Sequence, residues 1–530
     1  MKRPEGSYSS RDAPLGSPLS FHARPSLHAR RLLNSAFDLA PRFVALSLAA
    51  LLLSDCGGGG GGGHTSSTGL TTTPPTTTTP TTPTTNPTDP SPTVAPDPAT
   101  TTTTSTPSAL GYKQNPVTQE DIWSEKALAP INAFVPIIVN GITGQNQVVS
   151  MFDTGVYAAH RDLVGQILTT QGYSVENSAV QTITTDPDSE THGTAVASLI
   201  VGIRGNLGME GIAPGAKLVP IQFSEDAQGN LKNIDDAHMP QAINYVRGLG
   251  NVHVMNNSWN IAASSTVGLS IAQYEAQAHA TLVSAIPQTV AAWQNFVNAG
   301  NVVVWAAGNE SAAEPDAMAG LPAEAPALQP GWVAVVSITS TGALASYSNQ
   351  CGTTAAYCIA AVGDQVTVAV GPTVFASTYA IGSGTSFAAP SVTGAIALLM
   401  SAAPNITAQQ ALQILFQTAV KTGVYAQSAI YGQGVVDLNR AMQPVGKTVI
   451  AASGLSPFPA DTTVIATSGA FGATLAGALS QHSIIIQDSY RRPYDMPLQG
   501  RVMPLTPAIN AGYRLAQFGR SDIQIGRAHV

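Results

Sequence analysis

The sequence predicts an α/β fold with a mostly parallel central sheet flanked by helices. Three features predict it. Short apolar, β-rich runs recur beyond residue 110: Val148 to Phe152, Leu218 to Phe223, Val252 to Met255, Val302 to Ala306 and Val333 to Ile338. These runs are apolar throughout rather than alternating, as strands are when helices cover both faces of their sheet. Between several of them lie stretches with helical periodicity.

The elements follow in order along the chain. Arg30, Arg31 and Arg42 precede an apolar run of 11 residues, Phe43 to Leu53. That length suits a signal-peptide core and falls short of the roughly 20 residues of a membrane-spanning helix. The run ends in Leu53-Ser54-Asp55-Cys56, which resembles the bacterial lipoprotein processing site. Asp55 departs from the small uncharged residues usual there. The resemblance makes Cys56 the expected lipid-attachment site and residues 1–56 an export leader. Gly57 to Gly63 is pure glycine, and Thr and Pro dominate residues 64–108. Such a segment cannot bury enough apolar surface to offset chain entropy, so residues 57–109 read as a disordered, semi-extended stalk. In the globular part, Ala237 to Leu249 and Val283 to Ala299 read as helices. The second places Val290, Trp293, Phe296 and Val297 at helical spacing and stops at Gly300. Thr385 to Ala402 and Thr407 to Ala419 read as two more, with Thr407 as the N-cap of the latter.

Composition narrows the function. The net charge is −8, and outside the leader no cluster of Lys and Arg appears, which argues against nucleic acid as a partner. Charged residues make up only 10% of the chain, against about 25% in a typical soluble domain. Of the 3 cysteines, Cys56 belongs to the leader. Cys351 and Cys358 read as a short-loop disulfide in an exported chain, with two buried thiols as the alternative.

Three segments carry candidate chemistry. A buried strand ends in Asp153-Thr154-Gly155; Thr191-His192-Gly193-Thr194 opens an apolar helix; Gly382-Ser383-Gly384-Thr385-Ser386-Phe387-Ala388-Ala389-Pro390 opens another. Each alone is weak: an Asp at a strand end is most often a turn former, and a Ser at a helix start is most often a cap. Together they place Asp, His and Ser in that order, 39 and then 194 residues apart. In open parallel sheets the carboxyl ends of the strands are where ligands bind, and that is where these residues fall.

On these motifs the chain, over roughly residues 110–445, resembles the subtilisin-like serine proteases, whose triad runs in this chain order. Val156, His160, Asp162 and Leu163 resemble the residues that follow the catalytic Asp in that family. Ala195, Phe387 and Ser391 depart from its common residues without removing a catalytic group. The resemblance implies a subtilisin-like three-layer fold and serine endopeptidase activity on protein or peptide substrates, with Ser386 as nucleophile, His192 as general base and acid, and Asp153 as orienter. It implies Asn309, after the strand Val302 to Ala306, as the oxyanion-hole amide. It implies Ser258, Trp259 and Asn260 as the substrate-pairing strand, with Trp259 either walling the S1 pocket or lying in the core. Ala307 and Gly308 would line the opposite wall, and Glu310 at the rim would favour a basic P1 residue. No cofactor is required for the chemistry. Structural calcium is common in the family and Asp162 resembles one of its ligands, but Gly205 in the loop Arg204 to Met209 stands where a side-chain oxygen is expected, so the metal stays open.

Tyr431 to Leu438 and Ala441 to Pro444 close the protease domain. With the lipoprotein-like leader and the cysteine pair, this ending resembles the autotransporter branch of the family, in which a passenger protease crosses the outer membrane through its own C-terminal barrel. Residues 446–530 then read as a linker toward a missing barrel, because 58 residues after Gly472 are too few to build one. Ile525 to Val530 read as translated adapter sequence, so the chain is expected to be cut short. The expected address is the outer membrane or cell surface of a Gram-negative bacterium, or release from it. The rival expectation is a catalytically inactive surface-binding protein on the same scaffold. Another class of serine hydrolase is disfavoured because Ser386 lacks a Gly-x-Ser-x-Gly elbow.

Overall fold

A computed structural model describes residues 119–187, 191–205, 208–225, 231–259, 268–278, 280–371, 378–450, 458–467 and 472–504. The leader, Cys56, the stalk and residues 505–530 lie outside the described residues.

Eight strands form the main sheet: β1 (Val148–Asp153), β2 (Tyr173–Ser174), β3 (Ala179–Val180), β4 (Lys217–Gln222), β5 (Val252–Asn257), β6 (Val302–Ala306), β7 (Trp332–Ile338) and β8 (Cys358–Val362). Their spatial order is β3-β2-β4-β1-β5-β6-β7-β8. Every neighbouring pair is parallel except β2 with β3. The expected α/β class is therefore what forms. The central strand β6 is buried at all five positions, which is why its sequence shows no alternation.

Helices α1 (Gln119–Leu128), α2 (His192–Val201), α3 (Met239–Leu249), α4 (Pro287–Asn298), α5 (Thr385–Ala402), α6 (Ala408–Thr418) and α7 (Leu438–Ala441) surround the sheet. The pair α2 and α5 packs over the centre of the sheet, and α3 and α4 pack on each other against β5 and β6. α4 turns Val290, Trp293, Phe296 and Val297 inward as the periodicity predicts. It starts at Pro287, later than expected, because a proline lacking an N–H is tolerated at a first helical position and ends the short turn Leu282–Ala285 before it. Thr407 caps α6 in a capping box: its side chain accepts from Gln410 N–H, and the Gln410 side chain accepts from Thr407 N–H. α5 is apolar and long enough to cross a membrane, yet 83% of its apolar window is buried inside the domain. A helix apolar on all sides is also what the interior of a large domain holds.

Several elements lie beyond the sequence expectations, among them β2 and β3 at one edge of the sheet. β8 completes the edge of the sheet, joined to the preceding loop by the Cys351–Cys358 disulfide. An antiparallel hairpin, β9 (Val366–Val370) with β10 (Thr378–Gly382), leads directly into α5. Past residue 445, where a linker was expected, β11 (Val449–Ile450), β12 (Phe458–Pro459), β14 (Ser483–Gln487) and β15 (Pro493–Pro497) form a second sheet, and β13 (Ile465–Thr467) pairs with β16 (Val502–Pro504). The β14–β15 hairpin is anchored on the body of the main sheet by buried Arg492. Its guanidinium bonds to Asp488 at 2.9 Å, to the Ala441 carbonyl at 2.7 Å and to the Gln443 carbonyl at 2.8 Å. A buried cation needs a carboxylate and acceptors of this kind to offset its lost hydration.

Candidate active site

The chemical residues gather at the carboxyl end of the parallel strands. Asp153 is the last residue of β1, Ser258 follows β5, and Asn309 follows β6. His192 opens α2 and Ser386 is the second residue of α5. The parallel order places these strand ends side by side, β1 beside β5 and β5 beside β6.

Asp153 is buried, and its Oδ1 lies 2.8 Å from His192 Nδ1. The same oxygen accepts from Thr154 N–H at 2.9 Å. A carboxylate can only accept, so the proton of this contact sits on Nδ1 and Nε2 is the basic nitrogen. The start of α2 is held from three sides. Gly193 N–H donates to Thr154 Oγ1 at 3.1 Å, and Asp186 Oδ2 accepts from Thr194 N–H at 2.8 Å and from Thr194 Oγ1 at 2.9 Å. Thr191, at φ 55°, accepts from Gly371 N–H through its hydroxyl at 2.8 Å. A β-branched residue in the left-handed region is strained and persists only where its surroundings impose it. Gly193 must be glycine: a Cβ there would strike the Gly155 carbonyl.

Ser386 Oγ donates to the Ser258 carbonyl at 3.1 Å, and Ser258 Oγ donates back to the Ser386 carbonyl at 2.9 Å. The second bond has a covalent cause. Pro390 stands four residues after Ser386 inside α5 and has no N–H to give that carbonyl. The acceptor freed by the proline is taken by Ser258. In this conformer the Ser386 hydroxyl is bonded to the Ser258 carbonyl. Phe387, the next residue of α5, places its ring 5.8 Å from the His192 imidazole between centroids.

Asn309 is oriented by the residue before Ser386. Its Oδ1 accepts from Thr385 N–H at 2.8 Å and from Thr385 Oγ1 at 3.0 Å. Two donors on one atom fix that atom as the oxygen, so the Nδ2 donors face the other way and have no acceptor among the described residues. Thr385 Oγ1 also accepts from Gly308 N–H at 3.1 Å. Gly308, at φ 106°, passes so close to Asn349 and Asp316 that a Cβ would overlap both.

The remaining predicted residues divide. Ala307 is buried, and Glu310 is half-buried with its Oε2 accepting from Asn349 Nδ2 at 2.8 Å. Trp259 belongs to the core: its indole packs edge-on to Trp305 at 4.9 Å and Phe223 at 5.2 Å, and its Nε1 donates to Asn257. Of the two readings of its ring, pocket wall or core, these contacts and its burial favour the core. Asn260 lies outside the described residues. Asp162 is buried beside Tyr379 and Met209 N–H. Among the described residues no group of three or more His, Cys, Asp or Glu comes together. Sequence reasoning missed Asp186, Thr194, Asn349 and Tyr379. Only Thr194 had a signal, its place two residues after His192.

The subtilase family model matches residues 144–434, more than half of the chain, and the match encloses the residues just described. The chain belongs to the subtilase family. Among curated subtilases and their kin, serotype-specific antigen 1 of Mannheimia haemolytica is 29% identical over 304 residues, covering 48% of this chain and 32% of the antigen. Subtilisin NAT of Bacillus subtilis subsp. natto is 28% identical over 310 residues, covering 57% of this chain and 67% of that protein. The chain thus spans about a third of the antigen's length and about two thirds of the subtilisin's. The solved structure of fervidolysin from Fervidobacterium pennivorans, a keratinolytic enzyme related to subtilisin, is 23% identical, covers 60% of this chain and 49% of that one, and superposes with a TM-score of 0.45. Subtilase membership supports serine protease activity in general terms.

Proposed function

We propose that this subtilase is a serine endopeptidase in which Ser386 is acylated by the substrate, His192 moves the proton, and Asp153 holds the imidazole. The observation that carries the reading is the Asp153–His192 contact at 2.8 Å, at the same sheet edge as Asn309 with its donors turned outward. The steps follow from the groups present. Rotation about one side-chain bond redirects the Ser386 hydroxyl from the Ser258 carbonyl toward His192. His192 Nε2 takes the hydroxyl proton as Oγ attacks the scissile carbonyl carbon. Asp153 stabilises the imidazolium that results. The carbonyl oxygen becomes an anion, which Asn309 Nδ2 and the N–H of Ser386 at the α5 start stabilise. His192 then gives its proton to the departing amine, and water repeats the sequence to release the acid and restore Ser386. An extended peptide would pair with the backbone that follows β5 at Ser258, by strand addition.

The domain reading joins this proposal: leader 1–56, stalk 57–109, peptidase domain 110–445, and a C-terminal region 446–530 that holds the second sheet. Export to the outer membrane or cell surface, with Cys56 lipidated, is supported by the leader motif. A relative named as a serotype antigen points the same way. A fluorophosphonate probe tests the chemistry. It should label wild type at Ser386, located by peptide mass spectrometry, and leave Ser386→Ala unlabelled. Absence of labelling on folded wild type would favour the inactive binding scaffold instead.

A further inference from the structure

We infer that Tyr379 and Arg161 take the place of a structural cation at Asp162, forming a cation-free latch that ties the three catalytic segments together. The inference rests on the proposed triad only for its kinetic arm. Asp162 lies nine residues after Asp153, Met209 seventeen after His192, and Tyr379, on β10, seven before Ser386. These three meet at one carboxylate. Asp162 Oδ2 accepts from Tyr379 Oη–H at 2.6 Å and from Met209 N–H at 3.0 Å. Arg161 Nε stands 3.6 Å from Oδ1 and donates to the Tyr379 oxygen at 2.7 Å, with its guanidinium 5.3 Å from the centroid of the Tyr379 ring. His160 meets the same ring edge-on at 5.3 Å, and the Asp162 carbonyl accepts from Ile203 N–H, beyond the end of α2, at 2.8 Å.

A calcium ion asks for 6–8 oxygen ligands at about 2.3–2.6 Å. The described surroundings of Asp162 offer the opposite chemistry. A hydroxyl and an amide spend their hydrogens on Oδ2, and a guanidinium stands on the Oδ1 side, where it would repel a second cation. Gly208 closes the remaining space, since even a Cβ there would overlap both carboxylate oxygens and the Tyr379 hydroxyl. The described residues therefore do not fit calcium: they hydrogen-bond Oδ2 and set the Arg161 guanidinium 3.6 Å from Oδ1, whose hydrogen-bonding capacity they leave unfilled. Burial pushes the Asp162 carboxyl up, and the Tyr379 and Met209 hydrogen bonds with the His160 and Arg161 charges pull it back. Tyr379 is thus a positioning residue: it acts through Asp162 on the segments that carry Asp153, His192 and Ser386.

The test uses the full chain and terbium as a luminescent stand-in for calcium, because a lanthanide at Asp162 would be sensitised by Tyr379. Wild type should show no luminescence that Asp162→Asn removes, and its Tm should be the same in calcium and in chelator. Tyr379→Phe should lower Tm and, measured well below that Tm, lower kcat on the order of tenfold with KM nearly unchanged, short of the ~10² that a displacement of 1 Å costs. Arg161→Gln, at a partly exposed position, should show the same pattern more weakly and serves if the phenylalanine variant does not fold. Luminescence that calcium competes away and Asp162→Asn abolishes would overturn the inference, as would Tyr379→Phe and Arg161→Gln variants with wild-type Tm and kcat. The terbium and melting arms need no turnover, so they stand even if the peptidase reading fails.

Discussion

Asn309→Ala separates transition-state stabilisation from substrate binding. In the structure the Asn309 oxygen holds Thr385 N–H and Oγ1, so the amide nitrogen alone can serve an oxyanion. That nitrogen meets nothing in the ground state among the described residues, and an interaction made only as charge develops appears in kcat rather than KM. Loss of one such donor typically lowers turnover by ~10²–10³, a magnitude whose reference case is a subtilisin and is borrowed from there. The structure adds a second effect. Thr385 is fully buried, so alanine orphans its N–H, and an unsatisfied buried donor costs about 1–3 kcal/mol of stability. Asn309→Asp tests the orientation itself: the carboxylate still serves Thr385 but presents an acceptor to the oxyanion, so turnover should fall further than in alanine while Tm falls less. Steady-state kinetics on a peptide substrate and thermal melts read both. A rise in KM with unchanged kcat in Asn309→Ala, or Asn309→Asp more active than Asn309→Ala, would refute the reasoning.

Other outcomes follow from the same geometry. Ser258→Ala leaves the Ser386 carbonyl without its donor and should lower Tm and kcat; adding Pro390→Ala supplies an N–H in α5 and should restore part of the Tm, a coupling that a double-mutant cycle measures. Burial pushes the phenols of Tyr347 and Tyr379 above their ordinary value near 10 and that of Tyr357 up to about 12. A raised folded pKa contributes stability that is complete below the unfolded value and lost as pH rises through the interval above it, so denaturant melts should show stability falling above pH ~10, with the share of tyrosinate absorbance that these buried phenols contribute appearing only as the chain unfolds. Replacing Cys351 and Cys358 together by alanine reopens a loop of separation 7 and should cost about 2.5 kcal/mol by loop entropy, read by denaturant midpoint; an unchanged midpoint would show that the buried packing there holds without the bond.

The proposed chemistry could be read from the sequence because each proposed catalytic group sits at a boundary between two patterns. Asp153 ends an apolar strand, while His192 and Ser386 begin apolar helices, and boundaries show as changes of period. Parallel topology then forces strand ends together, so order along the chain nearly implied nearness in space. Trp259 read ambiguously, because an aromatic after a strand has the same pattern whether it walls a pocket or fills a core. Its neighbours Phe223 and Trp305 decide, and they lie 36 and 46 residues away.

The sequence alone determined the family, the α/β class, the strands β1, β4, β5, β6 and β7, and which residue types stand at the strand ends. The tertiary structure decided how those residues are oriented: Asn309 by Thr385, the α2 start by Asp186, the Ser386 carbonyl by Ser258, Asp162 by Tyr379. It also decided that the region past residue 445 folds back, through Arg492 on the carbonyls of Ala441 and Gln443. The division has one physical cause. Hydrophobic period and chain order are local properties that a single strand or helix displays, whereas a hydrogen-bond partner is chosen by whatever the folded chain brings within about 3 Å, and the chain order carries no mark of it.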